Sequence, residues 1–373
     1  MSLTVKTNEL LEALQQTIKV IPSRSTLPIL GCAYFEFSDQ QMKIRSTNLE
    51  TSISVNVPYK GEKPEEPISI PINRLLEITA NIKDPNIEFD FSTKNTLKIK
   101  TTNGSFNISG QDYKEFPSDP TMKESISLTI NTQKLLEIIN FTKTSASKDE
   151  LKPALQGVLL KINNSQILGV STDGHRLSRI ITENENNLNQ ELEIIAPIKF
   201  LTILSSFINK TENIKFEISS NYMSLSYKNI SLFSKIIKDT YPDYEKVIPL
   251  DNNKTLTVDK KNLTEAIKRV SIFSNRATKQ ITFNINSNKL EIKTEDAENA
   301  ASGKERMECL FNSDEDLKIG FNASFILEAA NTTTGEQINL FLNNPLSAAI
   351  ISEKNEKTKT DKLILLMPIR LND

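Results

Sequence analysis

The chain has a single histidine, His175, set in the stretch STDGHRLSRI. Thr172 and Asp173 precede it, so a hydroxyl, a carboxylate and an imidazole are near neighbours in sequence. Acyl transfer needs those three groups to converge in space, with the base in reach of the nucleophile and oriented by the acid. Adjacency in sequence does not supply that. A hydrolase built on His175 therefore requires a nucleophile within hydrogen-bond reach of the ring. No G-x-S-x-G elbow, Walker-type phosphate loop, G-x-G-x-x-G or H-E-x-x-H occurs. Cys32 and Cys309 stand in no metal-ligand spacing and are too few for a disulfide scaffold. With 47 acidic residues in the chain, pairs such as Asp149-Glu150 or Glu295-Asp296 carry little information. Ten glycines in 373 residues leave few loops able to cradle a cofactor. The expectation is a non-catalytic protein with no metal and no cofactor.

Two stretches nevertheless look built for contact. In TDGHRL, Gly174 marks a backbone turn, and His175 and Arg176 present polar groups beside Leu177. This is either a hairpin turn with solvent-facing polar residues or the rim of a preformed apolar pocket. The end of the chain, LILLMPIRLND, is an apolar strand interrupted by Pro368. It reads either as an edge strand, which tolerates proline, or as a groove lined by Met367, Pro368 and Ile369.

The elements that must position these stretches recur. LTVKTNELLEAL at Leu3, LTINTQKLLEII at Leu128 and LTVDKKNLTEAI at Leu256 begin 125 and 128 residues apart. Each reads as a short strand running into an amphipathic helix. Asn8, Asn131 and Asp259 sit where a polar side chain can cap the helix start. A second helix signal recurs in PINRLLEITANI, PIKFLTILSSFI and NASFILEAANTT. Three pairs of alternating strands recur as well: AYFEFSDQQMKIRSTN, GVLLKINNSQILGVSTD and QITFNINSNKLEIKTED. The fold class is therefore α+β, with three tandem, structurally similar domains, each of two helices packed on antiparallel sheets. Expected boundaries are 1–125, 126–252 and 253–373. The joins carry no Gly/Ser linker, so successive domains should hold a fixed relation.

Charged residues at 25% and apolar ones at 38% are ordinary for a globular chain. No apolar run approaches a bilayer span and no secretory signal opens the chain, which together with the free thiols favours a cytoplasmic setting. The net charge of -2 does not by itself suggest nucleic acid. Its distribution does: the six helix windows sum to +7 and the remainder to -9. A helix-lined surface facing a polyanion would need that segregation. Aromatic residues that would stack single-stranded bases are scarce in those windows. A scaffold of three like domains with no DNA role is the alternative.

TLPILG (Thr26 to Gly31), STDGHRL (Ser171 to Leu177), YPDYEKVIP (Tyr241 to Pro249), IGFN (Ile319 to Asn322) and MPIRL (Met367 to Leu371), in this order across three repeats, closely resemble the bacterial DNA sliding clamps, the beta subunits of DNA polymerase III. The resemblance spans essentially the whole chain. It implies a DNA-clamp fold and a ring-forming head-to-tail homodimer, with helices lining the hole around double-stranded DNA. It implies a processivity factor whose partners are the replicative DNA polymerase catalytic subunit, a clamp loader, and other polymerases and repair proteins carrying a clamp-binding peptide. It also implies site residues. The partner-peptide pocket would use Leu155, then Thr172, Gly174, His175, Arg176 and Leu177, then Pro242, Lys246 and Val247. Its last wall would be Leu365, Met367, Pro368, Ile369, Arg370 and Leu371. DNA-facing residues would be Arg24, Lys148, Lys152 and Lys199. The dimer seam would join Arg74 and Phe106 to Ile272 and Phe273 of the second copy. This sequence departs from the family pattern in places. Lys246 stands where arginine is common, and Lys152 and Ala154 lack aromatic character. The seam stretches TTNGSFNIS and AENAASGKERMEC are poor in charge, and Asn372-Asp373 extend past the usual terminal leucine.

Overall fold

The computed structural model describes residues 2–118, 122, 124–184, 191–208, 213–356 and 358–371. Six α-helices lie among them: α1 (Thr7–Thr17), α2 (Ile72–Asn81), α3 (Thr132–Thr142), α4 (Ile198–Ser205), α5 (Lys260–Ser271) and α6 (Ala323–Thr332). None is long and apolar enough to cross a membrane.

The recurring sequence signals form the expected elements. Each alternating pair folds into an antiparallel hairpin: Cys32–Ser38 with Gln41–Thr47, Gly157–Ile162 with Gln166–Thr172, and Gln280–Asn286 with Lys289–Asp296. Local turn chemistry sets the register. In the second hairpin Asn163 Oδ1 accepts from the backbone N–H groups of Ser165 and Gln166, both at 3.0 Å. Asp259 caps α5 by accepting from Asn262 N at 2.8 Å, and Asn131 accepts from Gln133 N at 2.9 Å. Asn8 does not cap. It lies inside α1, whose N-cap position is Lys6. There Thr7 N donates to Pro85 O at 3.0 Å and Thr7 Oγ1 to Asp84 O at 2.5 Å, so a distant loop caps this helix.

The chain divides into two compact units, residues 1–133 with 199–236 and residues 134–198 with 237–373. Strand pairing explains the division. In the first unit a twelve-stranded sheet carries Thr51–Gly61 paired with Ile230–Lys235, which joins strands of the first repeat to strands of the second. Ser105–Ser109 and Ile126–Asn131 are the ends of its main path. The helices bury one stripe each: Leu10 and Leu14 of α1, Leu75 of α2, and Phe200, Leu201 and Leu204 of α4 are all buried. In the second unit a nine-stranded sheet carries Arg176–Glu183 paired with Thr360–Leu366, joining the rest of the second repeat to the third. A four-stranded sheet completes it, with Ala301–Glu308 and Leu317–Asn322 at its edges. Compactness thus follows sheet continuity rather than the repeat period.

Candidate functional site

The STDGHRL stretch is a tight hairpin between Gln166–Thr172 and Arg176–Glu183. Gly174 takes φ +91°, a region that L side chains rarely adopt, so glycine is required there. Asp173 Oδ1 accepts from the backbone N–H groups of His175 (2.9 Å) and Arg176 (3.0 Å). Thr172 Oγ1 donates to Arg176 O at 2.7 Å and accepts from Gly174 N at 3.1 Å. That hydroxyl is a turn-forming group. Among the described residues no side chain is hydrogen-bonded to the His175 ring, so the arrangement is not that of a nucleophile and its base.

Arg176 is the most constrained member. Its Nε donates to Asp173 Oδ2 at 3.0 Å and its Nη1 to Glu328 Oε2 on α6 at 2.5 Å. The guanidinium also lies over the Phe325 ring, 4.3 Å from the centroid. Only 12% of the side chain is exposed. The hairpin of the second repeat is thereby bolted to a helix of the third.

The terminal stretch is fixed at two points. Leu365 pairs with Leu177 in the sheet, and beyond the last strand Met367 N donates to His175 O at 2.9 Å. Ile369 then makes an isolated bridge to Gly320, donating from its N–H to Gly320 O at 2.8 Å. A Cβ on Gly320 would lie 2.6 Å from Ile369 O and 2.7 Å from Leu371 Cδ2. The glycine of IGFN is therefore the seat on which the tail rests. Met367 and Arg370 remain exposed, Pro368, Ile369 and Leu371 half-buried. Asn372 and Asp373 lie outside the described residues.

An apolar floor underlies both stretches. Leu177 and Leu365 share a buried cluster with Ala154, Val170, Tyr244 and Ile350. Tyr241 Oη donates to Val170 O at 3.3 Å, and burial pushes its hydroxyl well above the usual tyrosine range. Burial pushes Tyr244 up to about 12. These two rings anchor YPDYEKV on the sheet and leave Pro242, Lys246 and Val247 exposed. Lys246 Nζ turns to Asp243 at 2.7 Å, an exposed pair that contributes little. Leu155 is half-buried, and its carbonyl accepts from Ser147 N at 2.8 Å. The result is an apolar floor with a polar rim, suited to a short extended peptide rather than to a reaction. Asp173, Phe325, Glu328, Gly320 and Tyr241 belong to this site although sequence reasoning gave them no role. Only Asp173 had a local signal, an Asx turn before glycine.

The other candidate residues lie elsewhere. Arg24 and Lys199 are exposed in the first unit, Lys148 and Lys152 in the second. None of the four is in an ion pair among the described residues. Phe106 is 40% exposed on the edge strand Ser105–Ser109, and Arg74 on α2 is exposed. Ile272 and Phe273, 76% and 45% exposed, follow α5. Phe273 lies against the edge strand Ala301–Glu308, where a Cβ on Gly303 would come within 3.1 Å of its ring. Arg269 ties α5 to that strand through a two-point contact with Glu305, at 3.0 and 2.6 Å. The contact holds the Glu305 carboxyl below the usual range. No group of three or more His, Cys, Asp or Glu is placed to hold a metal ion among the described residues.

Family models described as the N-terminal, central and C-terminal domains of the DNA polymerase III beta subunit match residues 1–120, 129–243 and 245–370. The chain belongs to the DNA polymerase III beta-subunit family. The beta sliding clamp of Pseudomonas putida is 26% identical over 374 residues, covering all of both chains. The crystal structure of the Pseudomonas aeruginosa DNA polymerase III subunit beta superposes with a TM-score of 0.91 at 24% identity, again over all of both chains. The same organism's sliding clamp bound to griselimycin gives 0.90. Family membership and the shared fold do not favour a DNA-free scaffold.

Proposed function

We propose that this chain is the processivity factor of a bacterial replicative polymerase. Two copies close head to tail into a ring that encircles double-stranded DNA, slides along it, and catalyses nothing. The observation that carries the reading is that all three family domains match in order across the chain, with the hairpin and tail of its peptide site built as described. Three domains, 1–125, 126–252 and 253–373, form each half-ring. The seam sets Phe106 and Arg74 of one copy against Ile272 and Phe273 of the other. Exposed aromatic and aliphatic side chains on or beside unpaired sheet edges support it, because an open edge is a template for strand pairing. With no charge in TTNGSFNIS, apolar packing carries more of that seam than ion pairs do. Arg24, Lys148, Lys152 and Lys199 face the phosphates. Unpaired cations position a duplex without reading its sequence, which is compatible with sliding.

The polymerase, the clamp loader and repair proteins dock through short apolar peptides at Leu155, the Thr172–Leu177 hairpin, Pro242, Lys246, Val247 and the tail from Leu365 to Leu371. Tethering raises the polymerase's effective concentration at the primer end. The work is done on cytoplasmic DNA. Small-angle scattering with in-line mass tests the ring: the expected result is twice 42.0 kDa with the profile of a hollow particle. A compact solid particle at any mass would contradict it.

A further inference from the structure

We infer that Glu328 is a positioning residue of the peptide site and that, with Asp173 and Arg176, it makes the site discriminate between neutral and acidic ligands. The inference rests on the peptide-docking reading and adds a specificity to it. Arg176 donates to one oxygen of each carboxylate and stacks on Phe325, which lies three residues before Glu328 on the same face of α6. Two of the five guanidinium N–H groups are thereby used, and the other three have no protein partner among the described residues. An 88%-buried guanidinium whose orientation is fixed from two sides presents those donors in one geometry.

The charge balance sets what those donors accept. Asp173 and Glu328 contribute two negative charges and Arg176 one positive charge, so the cluster is net -1. A free guanidinium would favour a carboxylate. This one is already neutralised, so an incoming carboxylate meets excess negative charge while a neutral carbonyl oxygen does not. Partners should present a backbone or side-chain amide oxygen beside Arg176, not an acidic side chain.

The test uses the full-length protein and a fluorescein-labelled octapeptide with one leucine and one phenylalanine, its other six positions glutamine, together with its six single Gln-to-Glu variants. Griselimycin serves as a control for an intact site. In the wild type at least one position should prefer glutamine by about threefold to fivefold, the scale of one partly exposed charge. Glu328→Gln keeps an acceptor for Arg176 and removes one charge, so the preference should fall below twofold while the all-glutamine peptide binds as before. Glu328→Ala removes the acceptor and should weaken the all-glutamine peptide about tenfold. A merely structural role would leave the Gln/Glu ratio unmoved in Glu328→Gln, and that result would overturn the inference. If griselimycin and every peptide fail to bind the wild type, the docking reading itself falls and the inference with it. Griselimycin binding with no Gln/Glu preference at any position would sink the inference alone.

Discussion

Replacing Gly320 with alanine should undock the C-terminal tail while leaving the fold intact. The added Cβ would sit 2.6 Å from Ile369 O and 2.7 Å from Leu371 Cδ2. Ordinary carbon contacts begin near 3.4 Å, so the tail must retreat by roughly 0.8 Å. Ile369 O is backbone and cannot rotate away, unlike the leucine tip. The bridge from Ile369 N to Gly320 O, now 2.8 Å, stretches toward the limit of a hydrogen bond. Overpacking of this kind costs about 2 kcal/mol, which is about a 30-fold loss in the docked population at 1.4 kcal/mol per decade. Hydrogen exchange at single amides is the assay. Protection at Ile369 should fall about 30-fold and at Met367 by less, because Met367 N keeps His175 O at 2.9 Å. The melting temperature should hardly change, since the strained contact lies in a terminal segment outside the sheets. Griselimycin should bind more weakly. Unchanged protection at Ile369 would refute the idea that this glycine exists to seat the tail.

The remaining expectations concern other surfaces. Phe106→Ala combined with Phe273→Ala should halve the native mass, and an unshifted mass would remove both rings from the seam. Lys148→Ala with Lys152→Ala should lower the salt dependence of duplex binding by about two counterions' worth of slope, equally for every sequence, and an unchanged slope would take that turn off the DNA. Deleting Met367 to Asp373 should abolish peptide binding with the ring's mass retained; full affinity in the truncated protein would show that the tail is no wall of the site. Cys32 is buried and its thiol is pushed up to about 11. The folded-state value exceeds that of a free thiol, so native protein at pH 8 should resist iodoacetamide at Cys32 until unfolded. Rapid labelling of the native state would contradict this.

Much of the fold was readable because its determinants are local. Alternation and an Asn/Ser turn sufficed for each hairpin, and Asp259 announced the start of α5 from three residues away. Asn8 misled because the cap of α1 comes from Asp84 and Pro85, some 77 residues distant. The same limit hid the division of the second repeat between two sheets, since pairing of Thr51–Gly61 with Ile230–Lys235 leaves no periodic trace in either strand. The candidate site divides likewise. Gly174 carried its own signal, a turn with positive φ. The wider residue set came from family resemblance rather than from spacing. Glu328 and Phe325 went unnoticed because nothing near them in sequence records that they meet Arg176, 152 and 149 positions earlier.

Encirclement is the central claim, and retention on circular against linear DNA tests it most directly. Protein loaded by its ATP-driven loader onto a nicked circular plasmid should co-elute with the DNA through gel filtration. It should be lost when a restriction enzyme linearises the same complex, because a ring held by topology slides off an end. Equal retention on both forms would mean that ordinary surface contacts hold the protein to DNA, and the clamp account of this chain would be wrong.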